Sequence, residues 1–123
     1  MSSEITTYSD YRDFLQYKYK AAKEKKASFS LQHCANHLKV SKTFVKLVFD
    51  KKRNFTFPTL PLVWTLFKLS PTEQMQLTFL FCYTNAENEI LRSHFRAVLS
   101  ELESGKITPP LFAITVAETE TND

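Results

Sequence analysis

Ser30 and Ser41 each open a short apolar pattern at helical spacing. After Ser30 the inward positions are Leu31, Cys34, Ala35 and Leu38; after Ser41 they are Val45 and Val48. Only Lys39-Val40-Ser41 interrupts the two patterns. A serine just before a helix accepts a hydrogen bond from a backbone N–H of the first turn, so both serines read as caps. The spacing predicts two short helices, Leu31–Leu38 and Lys42 to about Phe49, joined by a tight turn. Ala35 is small enough to sit where the two helices cross, and Val40 plugs the turn.

The rest of the chain also reads as helical. A single glycine and five prolines cannot supply the tight turns of an all-β fold. With 43% apolar residues, including eleven Phe and five Tyr, the 123-residue chain can bury a real core as one domain. A first helix reads from about Ser9 to Lys25, with Tyr11, Phe14, Leu15, Tyr19 and Ala22 on one stripe. Its basic end suits either the helix dipole or a nucleic-acid backbone. A fourth helix reads over Pro58 to Lys68, around Leu62, Val63, Leu66 and Phe67. Ser70-Pro71-Thr72-Glu73 starts a fifth, running to about Tyr83: a cap, a Pro in the first turn and a reciprocal Glu. A sixth runs from near Asn85 to Gly105, which is placed to end it. The tail carries a strand-like LFAITV stretch and an acidic end. The expected domain layout is 8–84 for the helical binding domain, 85–105 for the last helix and 106–123 for the tail.

The charge is divided along the chain. Residues 1–69 hold 13 Lys/Arg and 5 Asp/Glu, a net +8, and residues 70–123 hold 3 and 8, a net −5. A basic amino-terminal half fits a polyanionic partner, although many soluble domains are basic for solubility alone. Lys42, Thr43 and Lys46 give the third helix a polar, donor-rich leading face, the arrangement that reads base edges in a DNA groove. Lys51, Lys52, Arg53 and Asn54 follow where a loop would meet phosphates. Ser41, and Gln32 at the positive start of the second helix, are further phosphate candidates.

CANHLKVSKTFVKLVFDKKRNFTF resembles, without gaps through Asn54, the helix-turn-helix of the lambda-repressor/Cro-like superfamily. More narrowly, the stretch from Tyr11 to Thr56 resembles the amino-terminal domain of an uncharacterised bacterial paralogous family of regulators. That family's members are usually more than twice as long. The likeness covers about Tyr8 to Leu91. It implies an all-α, Cro-like domain of about five helices, here with a carboxy-terminal helix and extended tail, in a transcriptional regulator bound to double-stranded DNA. Two departures stand out. Lys39 replaces the family's turn glycine, and Lys51 replaces the glycine before KRN. If either site keeps a positive φ, the cost is up to roughly 1 kcal/mol. Leu47 and Phe49 stand at positions that DNA-reading members often leave polar. They either meet an apolar feature such as a thymine methyl, or mark an interaction module that kept the fold and binds protein instead of DNA.

Other features point to bland roles. His33 and His37 lie four apart on one helix but lack a suitably spaced third ligand, so no metal or other cofactor is expected. No nucleophile motif, Gly-rich phosphate loop or framed carboxylate pair appears, so an enzyme is not expected. Glu87–Glu89 and Glu101–Glu103 are two apart and do not share a helix face. Cys34 and Cys82 read as reduced thiols in a cytoplasmic protein, nucleoid-associated if bound to DNA, with no membrane partner. Leu91, Phe95, Val98 and Leu102 repeat at 4-3-4 spacing. They either form a homodimer seam, extended by the tail, or close the chain's own core.

Overall fold

The computed structural model describes residues 8–106. Among them the chain is all-helical, with no strand. The elements are α1 (Tyr11–Lys25), α2 (Leu31–Leu38), α3 (Lys42–Phe49), a 3-10 turn at Phe57–Thr59, α4 (Leu60–Leu66), α5 (Pro71–Thr84) and α6 (Glu89–Glu103). The strand-like LFAITV stretch lies outside the described residues. The chain forms two compact units, one of Arg12–Lys68 and one joining residues 69–106 to residues 8–11.

In the first unit, local capping sets the helix starts. Ser30 Oγ accepts from the His33 N–H at 3.1 Å, and Ser41 Oγ from the Phe44 N–H at 3.0 Å. Cys34, Ala35 and Leu38 are the buried residues of α2, which packs against α3 and α4. Val45, Val48 and Phe49 are the buried residues of α3, at i, i+3 and i+4 on one face. Phe49 lies 5.5 Å from the Tyr19 ring of α1. Tyr19 and Phe67 in turn flank Phe29, at 6.1 and 5.8 Å between ring centres. The fourth helix is shorter than its apolar pattern suggests. Phe57–Thr59 is 3-10, and Lys68 turns left-handed at φ 54° and ends the run.

The two glycine-to-lysine departures adopt the backbone that glycine would serve. Lys39 has φ 62° and Lys51 φ 64°. Each closes a helix with the same double hydrogen bond, which captures two carbonyls left over by the helix end. After α2, Lys39 N–H donates to Asn36 O and Val40 N–H to Ala35 O. After α3, Lys51 N–H donates to Val48 O and Lys52 N–H to Leu47 O. The motif demands a positive φ whatever residue stands there, and lysine bears the steric cost of its Cβ. Lys39→Gly is therefore expected to stabilise the protein by about 0.5–1 kcal/mol, part of the relief being offset by glycine's freer unfolded state. A melting curve should rise by roughly 2–8 °C. Lys51→Gly should gain less, because it also loses the 3.1 Å ion pair from Lys51 Nζ to Asp13.

In the second unit, α5 opens on a full capping box. Glu73 N–H donates to Ser70 Oγ at 3.2 Å and Ser70 N–H to Glu73 Oε1 at 2.9 Å. α5 and α6 pack along each other, burying Leu77, Leu80, Leu99 and Leu102. Tyr11 belongs here too: its N–H donates to Thr84 Oγ1 at 3.1 Å, and its ring meets Phe81 edge-on at 4.9 Å. α6 starts at Glu89 rather than near Asn85. Asn85 still ends α5, its N–H reaching Phe81 O, and Asn88 Oδ1 then accepts from the Leu91 N–H to begin the new helix. Gly105, φ 84°, ends α6 with the same double bond, to Leu102 O from its own N–H and to Glu101 O from Lys106.

Candidate nucleic-acid interface

With Val45, Val48 and Phe49 turned inward, the opposite face of α3 is left to solvent. Lys42, Thr43 and Lys46 are all exposed there. With Leu31 and Leu47 they line a shallow groove. Eight residues of α-helix measure about 12 Å, similar to the width of a DNA major groove. Of the apolar residues on α3, Phe49 is core and offers neither a base contact nor a protein contact. Its i+4 spacing from Val45 carries it inward, under Tyr19. Phe44 is half-buried, 5.8 Å from the Phe55 ring. Leu47 is half-buried and stays at the rim of the groove.

The loop after α3 carries Lys51, Lys52, Arg53 and Asn54, all exposed. Their charges are not equally available. Lys51 Nζ is 3.1 Å from Asp13 Oδ2, and Lys46 Nζ is 3.1 Å from Asp50 Oδ2. The Arg53 guanidinium sits over the Phe44 ring at 5.3 Å, and the Arg53 carbonyl accepts from Arg12 Nη1 at 3.0 Å. Lys42 and Lys52 have no ion pair among the described residues. Gln32 Nε2 donates to Asn36 Oδ1 at 2.9 Å on the exposed side of α2. The Ser41 oxygen accepts the α3 cap bond, so what it retains for a ligand is its O–H donor. Sequence reasoning missed Asp13, Asp50 and Arg12 as parts of this surface. The Lys46–Asp50 spacing of i, i+4 was readable; the Asp13 and Arg12 partnerships cross about forty residues of chain and left no local signal.

The unit boundary sharpens the charge division. Arg12–Lys68 holds 13 Lys/Arg against 3 Asp/Glu, a net +10, leaving the rest of the sequence 3 against 10, a net −7. Every lysine and arginine of the first sixty-nine residues falls in the unit that presents α3.

His33 and His37 have structural partners. His33 packs 4.9 Å from Phe29, and His37 Nε2 is 2.8 Å from Thr65 Oγ1. Among the described residues no three His, Cys, Asp or Glu side chains gather as a metal site would require. Both cysteines are free, and burial pushes the Cys34 thiol up to about 11 and raises that of Cys82. No helix among the described residues is long and apolar enough to cross a membrane. No family model, curated protein or solved structure matches the chain.

The residues of the 4-3-4 pattern on α6 are unevenly placed. Leu102 is buried, Phe95 and Val98 are half-buried, and Leu91 is 41% exposed. Phe95 lies 6.2 Å from Phe79 of α5. Ile90, next to Leu91, is 82% exposed, so the uncovered apolar surface is at the start of α6.

Proposed function

We propose that Arg12–Lys68 is a Cro-like helix-turn-helix unit that binds double-stranded DNA as part of a bacterial transcriptional regulator, with α3 in the major groove. The observation that carries this reading is a short helix clamped by its inner face, whose outer face holds Lys42, Thr43 and Lys46, in a unit of net charge +10. Lys42 and Thr43, in the first turn of α3, reach base edges, and Lys46 follows one turn later. Lys52 and Arg53 meet phosphates beside them, with Lys51, Asn54, Gln32 and the Ser41 hydroxyl completing the backbone contacts. The resemblance to the Cro-like superfamily and its bacterial paralogous family supports the same reading.

Fluorescence anisotropy on a selected duplex site and on random duplex tests it. Lys42→Ala or Thr43→Ala is expected to cost about 1–3 kcal/mol on the specific site and distinctly less on random DNA. Equal losses on both would make these residues positioning contacts. Leu31 and Leu47 beside the α3 lysines favour a second reading, in which the same groove takes a protein partner. Absence of duplex binding at low salt would select it.

Such units reach full operators as dimers. In this proposal a homodimer forms through the start of α6, where Ile90 and Leu91 are uncovered, with the tail extending the contact. Sedimentation at micromolar concentration should then report about twice the 14.3 kDa monomer. Leu91→Asp should shift it to monomer; a monomeric intact chain at about 100 μM would rule the dimer out.

A further inference from the structure

A second groove lies in the Arg12–Lys68 unit, away from the outward face of α3. It is lined by Lys18, Ala21, Ala22 and Lys25 of α1, Phe29 of the following loop, and Leu66, Phe67 and Lys68 at the end of α4. Its volume is about 360 Å³. The floor is apolar: two alanines, a leucine and two phenylalanines whose rings stand 5.8 Å apart. Among the described residues the charged groups of the lining are Lys18, Lys25 and Lys68, with no carboxylate.

This composition has a dull explanation, since α1 and α4 both end here and lysine complements the negative end of a helix dipole. The magnitudes decide against it as the whole account. Each helix end carries at most about −0.5 elementary charge, so two ends offset about one of the two ammonium groups of Lys25 and Lys68. Lys23, outside the lining, already reaches the Ala27 carbonyl beyond the end of α1 with its Nζ, at 3.4 Å. Lys25 and Lys68 therefore leave the groove a net charge of about +1 over an apolar floor. Small-molecule sites combine such an apolar body of roughly 300–1,000 Å³ with a few convergent polar groups.

We propose that this groove binds a small anionic amphiphile: a carboxylate or similar anion on a medium-length alkyl or aromatic body. The apolar body lies on Ala21, Ala22, Phe29, Leu66 and Phe67, and the anion is held by Lys25 and Lys68, both exposed. Lys68 owes its place on the rim to its left-handed φ of 54°, which turns the chain out of α4 at that point. This assignment does not depend on DNA binding by α3.

Calorimetry and amide chemical-shift mapping on the full chain, with decanoate as the probe, test it. Decanoate should bind one to one with a Kd on the order of 0.3 mM, shifting the Phe29, Leu66 and Phe67 amides. Decyltrimethylammonium should bind at least tenfold more weakly, as should inorganic phosphate, which has the charge without the body. The double variant Lys25→Gln/Lys68→Gln is expected to weaken decanoate about tenfold while leaving the circular dichroism melt in place, because both side chains are exposed. Lys42→Ala should leave decanoate binding unchanged. Equal binding of the cationic probe, shifts outside the groove, or a double variant that binds like the parent would each overturn the proposal. Phosphate binding as tightly as decanoate would also overturn it, because the apolar floor would then contribute nothing.

Discussion

Between 50 and 200 mM salt, the affinity of the chain for duplex DNA is expected to fall by about 250- to 1,000-fold. Neutralising four to six phosphates releases as many counterions, giving a log–log slope of roughly −4 to −5. The ion pairs rank the contributors. Lys52 has no ion pair among the described residues, so Lys52→Ala should reduce the slope by about one and weaken all sequences alike. Lys51→Ala should matter less, because Lys51 is already 3.1 Å from Asp13. Asp13→Asn, which releases Lys51, should steepen the slope and tighten binding at low salt. Arg53→Ala is less clean: it removes a proposed phosphate contact and also uncovers Phe44, over which the guanidinium packs at 5.3 Å. Anisotropy titrations at several salt concentrations measure all four slopes. An affinity that ignores salt, or no binding below about 100 μM at low salt, would end the nucleic-acid reading.

Ala35→Leu is expected to lower the melting temperature by about 4–24 °C. Ala35 is fully buried on α2, and its carbonyl accepts the Val40 N–H that closes the turn into α3. A leucine there must push α2 from α3 or α4, with which it packs. Overpacking of this kind costs about 1–3 kcal/mol and occasionally more, and each kcal/mol moves the midpoint by roughly 4–8 °C in a domain of this size. The neighbouring Asn36 is exposed, and Asn36→Leu should change stability by no more than about 0.5 kcal/mol. A melt of Ala35→Leu within about 2 °C of the parent would show that the crossing has room to spare.

The helix bounds most legible in the sequence are those set within three or four residues. The starts of α2, α3 and α5 follow from Ser30, Ser41 and Ser70, each bonded to an N–H three residues on. The inward faces of α2 and α3 follow from the 3.6-residue period, which holds wherever the helix packs. Phe49 was within reach of the same rule, standing four residues after Val45. The positive φ at Lys39 and Lys51 follows from the helix-ending motif, which sets the backbone before the side chain matters. α4 and α6 are shorter than the sequence predicts because residues at their expected ends close or link helices instead. Lys68 takes a left-handed conformation, and Asn85 is still held by α5.

By itself, then, the sequence determined the helical character of residues 8–106, the α2–turn–α3 bounds, a basic stretch separated from an acidic one, and the exposed character of Lys42, Thr43 and Lys46. Tertiary structure alone decided which charges stay available. Asp13 takes Lys51 and Arg12 buttresses Arg53 only because α1 lies against the loop after α3. It also decided that Tyr19 covers Phe49, that α1 and α4 end together around an apolar floor ringed by lysines, and that Leu102 is buried while Leu91 is not. The physical reason is range. A cap or a helical period is an interaction between near neighbours and is written in their spacing, whereas an ion pair or a groove forms between distant segments and depends on how whole helices pack.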